Sequence, residues 1–421
     1  MEQNIFGYIL LNKEVKTYSK FKQPIAGSSS VIGFLISPWA KVVRLIVQRT
    51  RTDRVITLTI EDRLKALREE LVKDEFDLPI TYTNISYKEL VKTKNLYYME
   101  GARQLKLKHV LSDAEVNMVN KVCEAIESSL HKYYEGFPSE AYQLLKPAID
   151  QLSSYFDSFN LFNRSSDLRL YRIRKEETPL TNKKDLFHIP FEERTRVSTQ
   201  RYSIPGFPCL YLGSSVYACL EELRTVNNTQ QIYISSFKND RGMNFIDLGY
   251  PPRVATKASG KKSDAESYDA LKALYLCWPL IAACSVQVKN DTHPFKPEYI
   301  VPQLLLQWIR SSTHFNGIRY FTSRSKSYSQ SVHLYQNYVF PVKENKEHGY
   351  CDNLVKHFTL TDPISIDQFR ADYEKERNKP VYFGMGRKGT IDDSSIKIDY
   401  RPTYYSYLEE KLEGFNYSTL Y

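Results

Sequence analysis

Residues 200–222 read QRYSIPGFPCLYLGSSVYACLEE, and this stretch predicts a turn, a strand and a helix in succession. The Pro-Gly pair at 205–206 predicts the turn, because proline presets φ and glycine accepts a positive φ. The apolar run 209–212 has the length of a short strand. Ser214 or Ser215 can begin a helix, because a serine side chain accepts from the free N–H groups of the first turn. The stretch therefore predicts a strand–loop–helix unit that can line one cleft.

Arg201, Tyr211 and Glu221 recur at ten-residue intervals along this unit. An arginine presents a planar fork of donors that suits a pyrophosphate. A tyrosine offers a flat face for a planar heterocycle and a hydroxyl that can orient it. A carboxylate beside an anomeric carbon lowers the barrier to breaking a glycosidic bond, because positive charge develops on the sugar ring. The trio therefore predicts a nucleotide site in which Glu221, Tyr211 and Arg201 are the candidate catalytic residues.

The longer run at 187–222, FHIPFEERTRVSTQRYSIPGFPCLYLGSSVYACLEE, resembles the core signature of the RES domain. This is a family of NAD-consuming bacterial proteins with an ADP-ribosyltransferase-like fold, and many of its members are toxins. The resemblance extends over about 170–345 in the family's order. It includes LYRIR at 170–174, EYIVPQLLLQWIR at 298–310, FNGIRYFTSRS at 315–325 and NYVFPV at 337–342.

This resemblance assigns roles to individual positions. It implies that Arg172 and Arg201 bind the phosphates of NAD and that Tyr211 packs against the nicotinamide end. Ser323 and Asn337 would close the pocket through hydrogen bonds to ribose or amide groups, since both side chains donate and accept. The glutamate of the trio becomes the catalytic carboxylate, with NAD as the substrate and no metal.

The resemblance implies an NAD glycohydrolase or phosphorylase that cleaves the nicotinamide–ribose bond, in a toxin or defence effector that depletes NAD. Water or inorganic phosphate would be the acceptor, and an antitoxin or regulatory protein is an expected partner. A mono-ADP-ribosyltransferase that modifies a macromolecule is the alternative, because the same residues serve both outcomes. A catalytically idle nucleotide-binding module is the second alternative.

The predicted fold class is α+β, with an ADP-ribosyltransferase-like split mixed sheet flanked by helices. We expect three parts: a mixed, then helical accessory domain at 1–165, the RES catalytic domain at 166–345, and a C-terminal extension with a Tyr-rich tail at 346–421. Apolar alternation predicts a strand at 6–11. Capping boxes at Ser112 and Ser263 predict helix starts.

Proline and glycine predict breaks in the helical pattern. Pro147 should interrupt a helix that begins after Pro138, and Pro279 should kink or split the helix that begins at Ser263. The stretch 251–262, rich in Gly, Pro and basic residues, reads as a mobile loop near the cleft.

Composition sets wider limits. The formal net charge of +9 is mild for 421 residues and suits the capture of an anionic ligand, so we expect no nucleic-acid partner. One basic group at 41–54 reads as a solvated face, whereas Arg319, Arg324 and Lys326 lie beside the predicted Ser323 and are candidates for phosphate contact. The six cysteines show neither CxxC pairs nor metal-ligand spacing. With no apolar leader or membrane-length run, we expect a cytoplasmic protein with reduced thiols.

Overall fold

The computed structural model describes residues 58–159, 168–223, 230–239, 242–322, 331–377, 387–393 and 396–421. Contacts divide the chain into two units, Met1–Thr57 and Leu58–Tyr421. The predicted strand at 6–11 and the basic group at 41–54 lie outside the described residues. The elements of the second unit belong to the predicted α+β class, since helices flank a mixed sheet.

Four helices open this unit: α1 (Ile60–Leu71), α2 (Tyr87–Leu107), α3 (Asp113–Tyr134) and α4 (Pro138–Phe159). The capping box predicted at Ser112 is confirmed, and α1 and α2 begin with boxes of the same kind. The predicted interruption at Pro147 is wrong, because α4 continues through it. Leu145 and Ile149 are fully buried on either side, and this packing outweighs the hydrogen bond that proline removes.

The sheet is built from short strands in the rest of the unit. They are β1 (Arg169–Glu176), β2 (Cys209–Gly213), β3 (Gln231–Asn239), β4 (Phe245–Asp247), β5 (Gly317–Phe321), β6 (Gln336–Pro341), β7 (Phe358–Leu360) and β8 (Ile364–Ser365). Their order is β4-β5-β6-β2-β1-β3-β7, and β8 also pairs with β3. The β4–β5 pair is parallel and the others are antiparallel, so the sheet is mixed as predicted. A separate hairpin joins β9 (Thr390–Asp393) to β10 (Ile396–Asp399).

In the described residues, seven α-helices lie between or after these strands. They are α5 (Val216–Glu222), α6 (Pro252–Ser259), α7 (Asp264–Cys284), α8 (Ile300–Ser311), α9 (Asp352–His357), α10 (Arg370–Arg377) and α11 (Tyr404–Glu413). The capping box at Ser263 is confirmed. Of the two outcomes predicted at Pro279, the split does not occur, because α7 is one helix, and the kink stays a prediction. This helix is buried on almost every side, so packing holds it together past the proline.

The predicted loop at 251–262 is also wrong, since most of it is α6. Pro252 stands in the first turn of that helix, where its missing N–H costs nothing, and Ala255 and Ser259 are buried. Arg253 forms ion pairs with Asp74 and Asp77, which tie α6 to the turn after α1. None of the described helices combines the length and the apolar composition that a membrane crossing requires.

One large apolar cluster joins α1–α4 to α7 and α8, and it continues onto the sheet at Ile246, Ile318 and Val339. A second cluster combines the sheet with the segment after Pro341, including Cys351 and Leu354. The predicted domain limits at 165 and 345 stay predictions, although buried clusters extend across both positions. All six cysteines are free thiols, as the sequence predicts, and five of them are buried.

His188 lies beside the second cluster, where its ring contacts Tyr350. Its ring Nδ1 lies 2.7 Å from the carbonyl of Ile189, and its Nε2 accepts from the backbone N–H of Cys351 at 2.9 Å. Burial lowers the pKa of His188 to about 4. The ring is therefore neutral at physiological pH, with Nδ1 as the donor and Nε2 as the acceptor.

Candidate active site

A cavity of about 500 Å³ opens at the centre of the sheet. Its lining comes from β1, β2, the C-terminal end of α5, β5 and β6, and from the connecting segments at 189–201 and 287–299. The charged side chains in this lining are Arg172, Lys175, Arg201, Glu222 and Asp291. Three cations against two carboxylates favour an anionic ligand over a cationic one.

Strand register brings distant residues to one side of this cavity. Gly213 on β2 is paired with Tyr171 on β1 and with Asn337 on β6, and Asn337 is paired in turn with Tyr320 on β5. These four residues form a row across four adjacent strands, and all four line the cavity. Gly213 itself has no room for a side chain, because a Cβ there would lie 2.5 Å from Cys219 Sγ. The glycine thus lets α5 pack closely against the sheet.

Arg172 is a partly buried cation whose charge no carboxylate of the described residues is seen to balance. Its Nη1 donates to the carbonyl of Tyr211 at 3.1 Å, while its Nε is buried and has no hydrogen-bond partner among the described residues. Burial, followed by the nearby Arg174, lowers the pKa of Arg172 to about 10, and no described carboxylate opposes that shift. A charged group with a donor that has no acceptor favours the binding of an anionic ligand.

Arg201 approaches the cavity from the segment before β2 and is 7% exposed. Its Nη1 donates to the carbonyl of Cys284 at 3.2 Å, and its guanidinium carbon lies 5.3 Å from the centre of the Tyr299 ring. These contacts hold the planar fork in one orientation, because both the terminal α7 carbonyl and the ring belong to packed elements.

Tyr211 lines the cavity from β2, but its hydroxyl is already engaged. It donates to the carbonyl of Tyr202 at 2.6 Å, and burial raises the pKa of Tyr211 well above its usual range. The phenol is therefore neutral at physiological pH. The hydroxyl serves to fix the ring, so what Tyr211 offers a ligand is an aromatic surface rather than the orienting hydroxyl that the sequence suggested.

Of the two adjacent glutamates at the end of α5, Glu222 lines the cavity, whereas Glu221 is not among the lining residues. Glu222 Oε1 accepts from Asn337 Nδ2 at 2.8 Å and from Thr322 Oγ1 at 2.7 Å. Both donors stand at the ends of central strands, so they fix the direction of the carboxylate. Neighbouring helical residues point about 100° apart, and the rotation of α5 decides which of the two glutamates reaches the cleft.

Four of the six predicted site residues, Arg172, Arg201, Tyr211 and Asn337, thus line one cavity. Asn337 donates to the Glu222 carboxylate, whereas the resemblance implied that its side chain contacts the ligand. Ser323 lies outside the described residues.

Sequence reasoning missed Glu222, Thr322, Tyr299 and Tyr320. The Glu-Glu pair at the end of the signature was the available signal for Glu222. Thr322 precedes the predicted serine, but no pattern in the sequence singled out the two tyrosines.

Arg319, one member of the basic group beside Ser323, does not contribute as predicted. Arg319 is 2% exposed and forms a buried, two-pronged ion pair with Asp247, in which Nε lies 2.8 Å from Oδ1. It joins the parallel strands β4 and β5 at the sheet edge and is absent from the cavity lining. The prediction for Arg319 is wrong because a carboxylate buried beside it already satisfies its fork. Arg324 and Lys326 lie outside the described residues.

Comparison with known proteins shows that the chain is similar to a named bacterial protein. Over 351 residues the chain is 31% identical to the protein named "Putative toxin YopC" from Bacillus subtilis (strain 168), and the alignment covers 79% of this chain and 77% of that protein. No family model matches the chain, and no solved structure matches it. The resemblance to the RES domain therefore rests on its quoted motifs. At this identity and coverage, the chain belongs to the same protein family as YopC of Bacillus subtilis.

Proposed function

We propose that this protein is a toxin that cleaves the nicotinamide–ribose bond of NAD. The observation that carries the proposal is the convergence of Arg172, Arg201, Tyr211 and Glu222 on one cavity. The name of the related protein supports the toxin role. The order of the motifs supports an ADP-ribosyltransferase-like catalytic domain.

Each group in the cavity has a physical task in this reaction. The two guanidinium groups would bind the pyrophosphate, and the unneutralised charge of Arg172 makes an anionic ligand especially favourable there. The rings of Tyr211, Tyr299 and Tyr320 offer flat apolar surfaces to the nicotinamide. Such a site would hold the dinucleotide through both its charged and its aromatic parts.

Glu222 is the proposed catalytic carboxylate. As the bond between C1′ of the ribose and the nicotinamide nitrogen breaks, the electron pair leaves with nicotinamide and positive charge develops on the ribose. A carboxylate held by Thr322 and Asn337 can stabilise that charge without reorganising. The oxygen of water or phosphate then bonds to C1′ and loses its proton, giving ADP-ribose or its 1″-phosphate.

The direct test is nicotinamide release by the purified protein, measured by chromatography with and without inorganic phosphate. We expect Glu222→Gln to slow release by about a hundredfold or more, the scale of losing one preorganised electrostatic group. Glu221→Gln is the matched control, since it makes the same change one residue away, and it should stay within about threefold of wild type. The reverse pattern would return the catalytic role to Glu221.

Wild-type protein that releases no nicotinamide would overturn the proposed function. Labelled macromolecules formed from labelled NAD in a lysate would indicate the transferase alternative instead. In cells, expression should arrest growth while the NAD content falls, and an antitoxin or regulatory protein should prevent both effects. Growth arrest at constant NAD would argue against the proposed reaction.

A further inference from the structure

The helix that ends at Glu222 is short, and its start determines where its end lies. α5 has seven residues, from Val216 to Glu222, so it makes only two turns. Its cap, Ser215, accepts from the backbone N–H of Ala218 at 2.9 Å and donates to the carbonyl of Leu334 at 2.6 Å. A helix of this length has little stability of its own, so its placement depends on contacts at its start.

A residue from far along the chain supplies one of these contacts. Glu409, on α11, is 3% exposed, and its Oε1 accepts from the backbone N–H of Val216 at 2.7 Å. The same oxygen accepts from the hydroxyl of Tyr400 at 2.6 Å. A carboxylate at a helix N-terminus satisfies a free N–H and interacts favourably with the helix dipole. Glu409 does not line the cavity, so its effect on a ligand would be exerted through α5.

Arg387 lies beside the Glu409 carboxylate. Its Nε lies 3.9 Å from Glu409 Oε2, its Nη1 donates to the carbonyl of Ser214, and its guanidinium carbon lies 5.7 Å from the centre of the Tyr171 ring. One guanidinium thus contacts the loop before α5, the strand beside it and the carboxylate that caps it. Together with Glu409, these contacts fix the backbone at the start of α5.

The burial of the Glu409 carboxylate lowers the stability of the fold. Burial raises the pKa of Glu409, and the charge of Arg387 together with the hydrogen bonds from Tyr400 and Val216 only partly opposes it, while Glu413 adds to the rise. A buried carboxylate is tolerated where its contacts require it. Here Glu409 contacts the first residue of α5, the helix that ends at Glu222.

We infer that Glu409, assisted by Arg387, is a positioning residue that sets the place of Glu222 through α5. The inference rests on the proposed function, because Glu222 is its proposed catalytic group. It gives two residues of the C-terminal part of the chain, Arg387 and Glu409, a role in placing the proposed catalytic carboxylate. A displacement of about 1 Å at a reacting group can cost about a hundredfold in rate, so a loosened α5 should affect the reaction more than binding.

The test compares three variants in nicotinamide release. Glu409→Ala removes the acceptor and should lower kcat by about tenfold or more while KM stays within about twofold. Glu409→Gln keeps an acceptor oxygen and should restore kcat to within about threefold of wild type. Glu413→Ala is the matched control, because Glu413 lies one turn later on α11 and pairs with Arg169 instead of α5. It should leave both constants unchanged.

Amide hydrogen exchange provides a readout that does not depend on turnover. Glu409→Ala should accelerate exchange in peptides spanning α5, while Glu409→Gln and Glu413→Ala should not. If Glu409→Ala does not fold, Glu409→Asp replaces it, since the shorter side chain withdraws the acceptor from Val216. Unchanged exchange in α5 together with unchanged kcat would overturn the inference. If wild type releases no nicotinamide, the proposed function fails by itself, and exchange alone decides whether Glu409 positions α5.

Discussion

Replacing Arg172 with methionine should stabilise the ligand-free protein while it weakens binding of the ligand. The drop of its pKa to about 10 corresponds to about 3 kcal/mol of unfavourable free energy for the buried charge. Because the group is charged in both the folded and the unfolded protein at neutral pH, this penalty is fully present there, and it would disappear only as the pH rises past about 10.

The expected gain is smaller than that penalty. The hydrogen bond from Arg172 to the Tyr211 carbonyl is lost in the variant, which costs about 1 kcal/mol. The net gain is then about 2 kcal/mol. The unfolding entropy of the unit Leu58–Tyr421 is about 0.8 kcal/mol per kelvin, so Tm should rise by about 3 °C.

The assay is differential scanning fluorimetry in a phosphate-free buffer, with and without ADP-ribose. ADP-ribose at a hundred times its Kd should raise the wild-type Tm by about 3 °C, because binding at that ratio adds about 2.7 kcal/mol. The same concentration should leave Arg172→Met almost unaffected. Arg174→Met is the matched control, since Arg174 lies on the same strand but pairs with Glu176, and its Tm should stay constant or fall.

Two results would refute this reasoning. A lower Tm in ligand-free Arg172→Met would mean that the buried charge is compensated within the protein. An undiminished response to ADP-ribose would mean that the anion binds elsewhere.

Two further predictions concern stability. Because burial lowers the pKa of His188 to about 4 from an unfolded value of 6.5, the stability that its neutral ring contributes is complete above pH 6.5 and is lost as the pH falls toward 4, by about 3 kcal/mol in total. His188→Gln keeps an acceptor for the Cys351 N–H and should reduce this acid sensitivity in urea unfolding at pH 7 and pH 4.5, so an unchanged difference would contradict the assignment. Gly317→Ala should cost about 1–3 kcal/mol, because a Cβ there lies 2.5 Å from the Phe340 ring. Thermal unfolding checks this against the control Gly260→Ala, whose Cβ meets one atom at 3.5 Å. Equal unfolding midpoints for the two variants would show that β5 shifts enough to accommodate the added methyl group.

Local chemistry made much of the fold predictable. The boxes at Ser112 and Ser263 begin helices because each pairs a hydroxyl with an acid within one turn, and that pairing needs no other part of the chain. The strand at 209–212 and the helix after Ser215 follow from the same short-range rules. The prediction that a local penalty would interrupt a helix failed at Pro147, where distant packing decides.

The sequence by itself determined the residue types of the site and their order along the chain, because Arg172, Arg201, Tyr211 and Asn337 belong to motifs that can be read locally. Only the tertiary structure decided that Glu222 faces the cavity in place of Glu221. That choice depends on the rotation of a two-turn helix, and the start of this helix is held by a buried carboxylate 193 residues further along the chain. Short-range patterns carry no information about such a contact, since it forms only when the chain has folded back on itself.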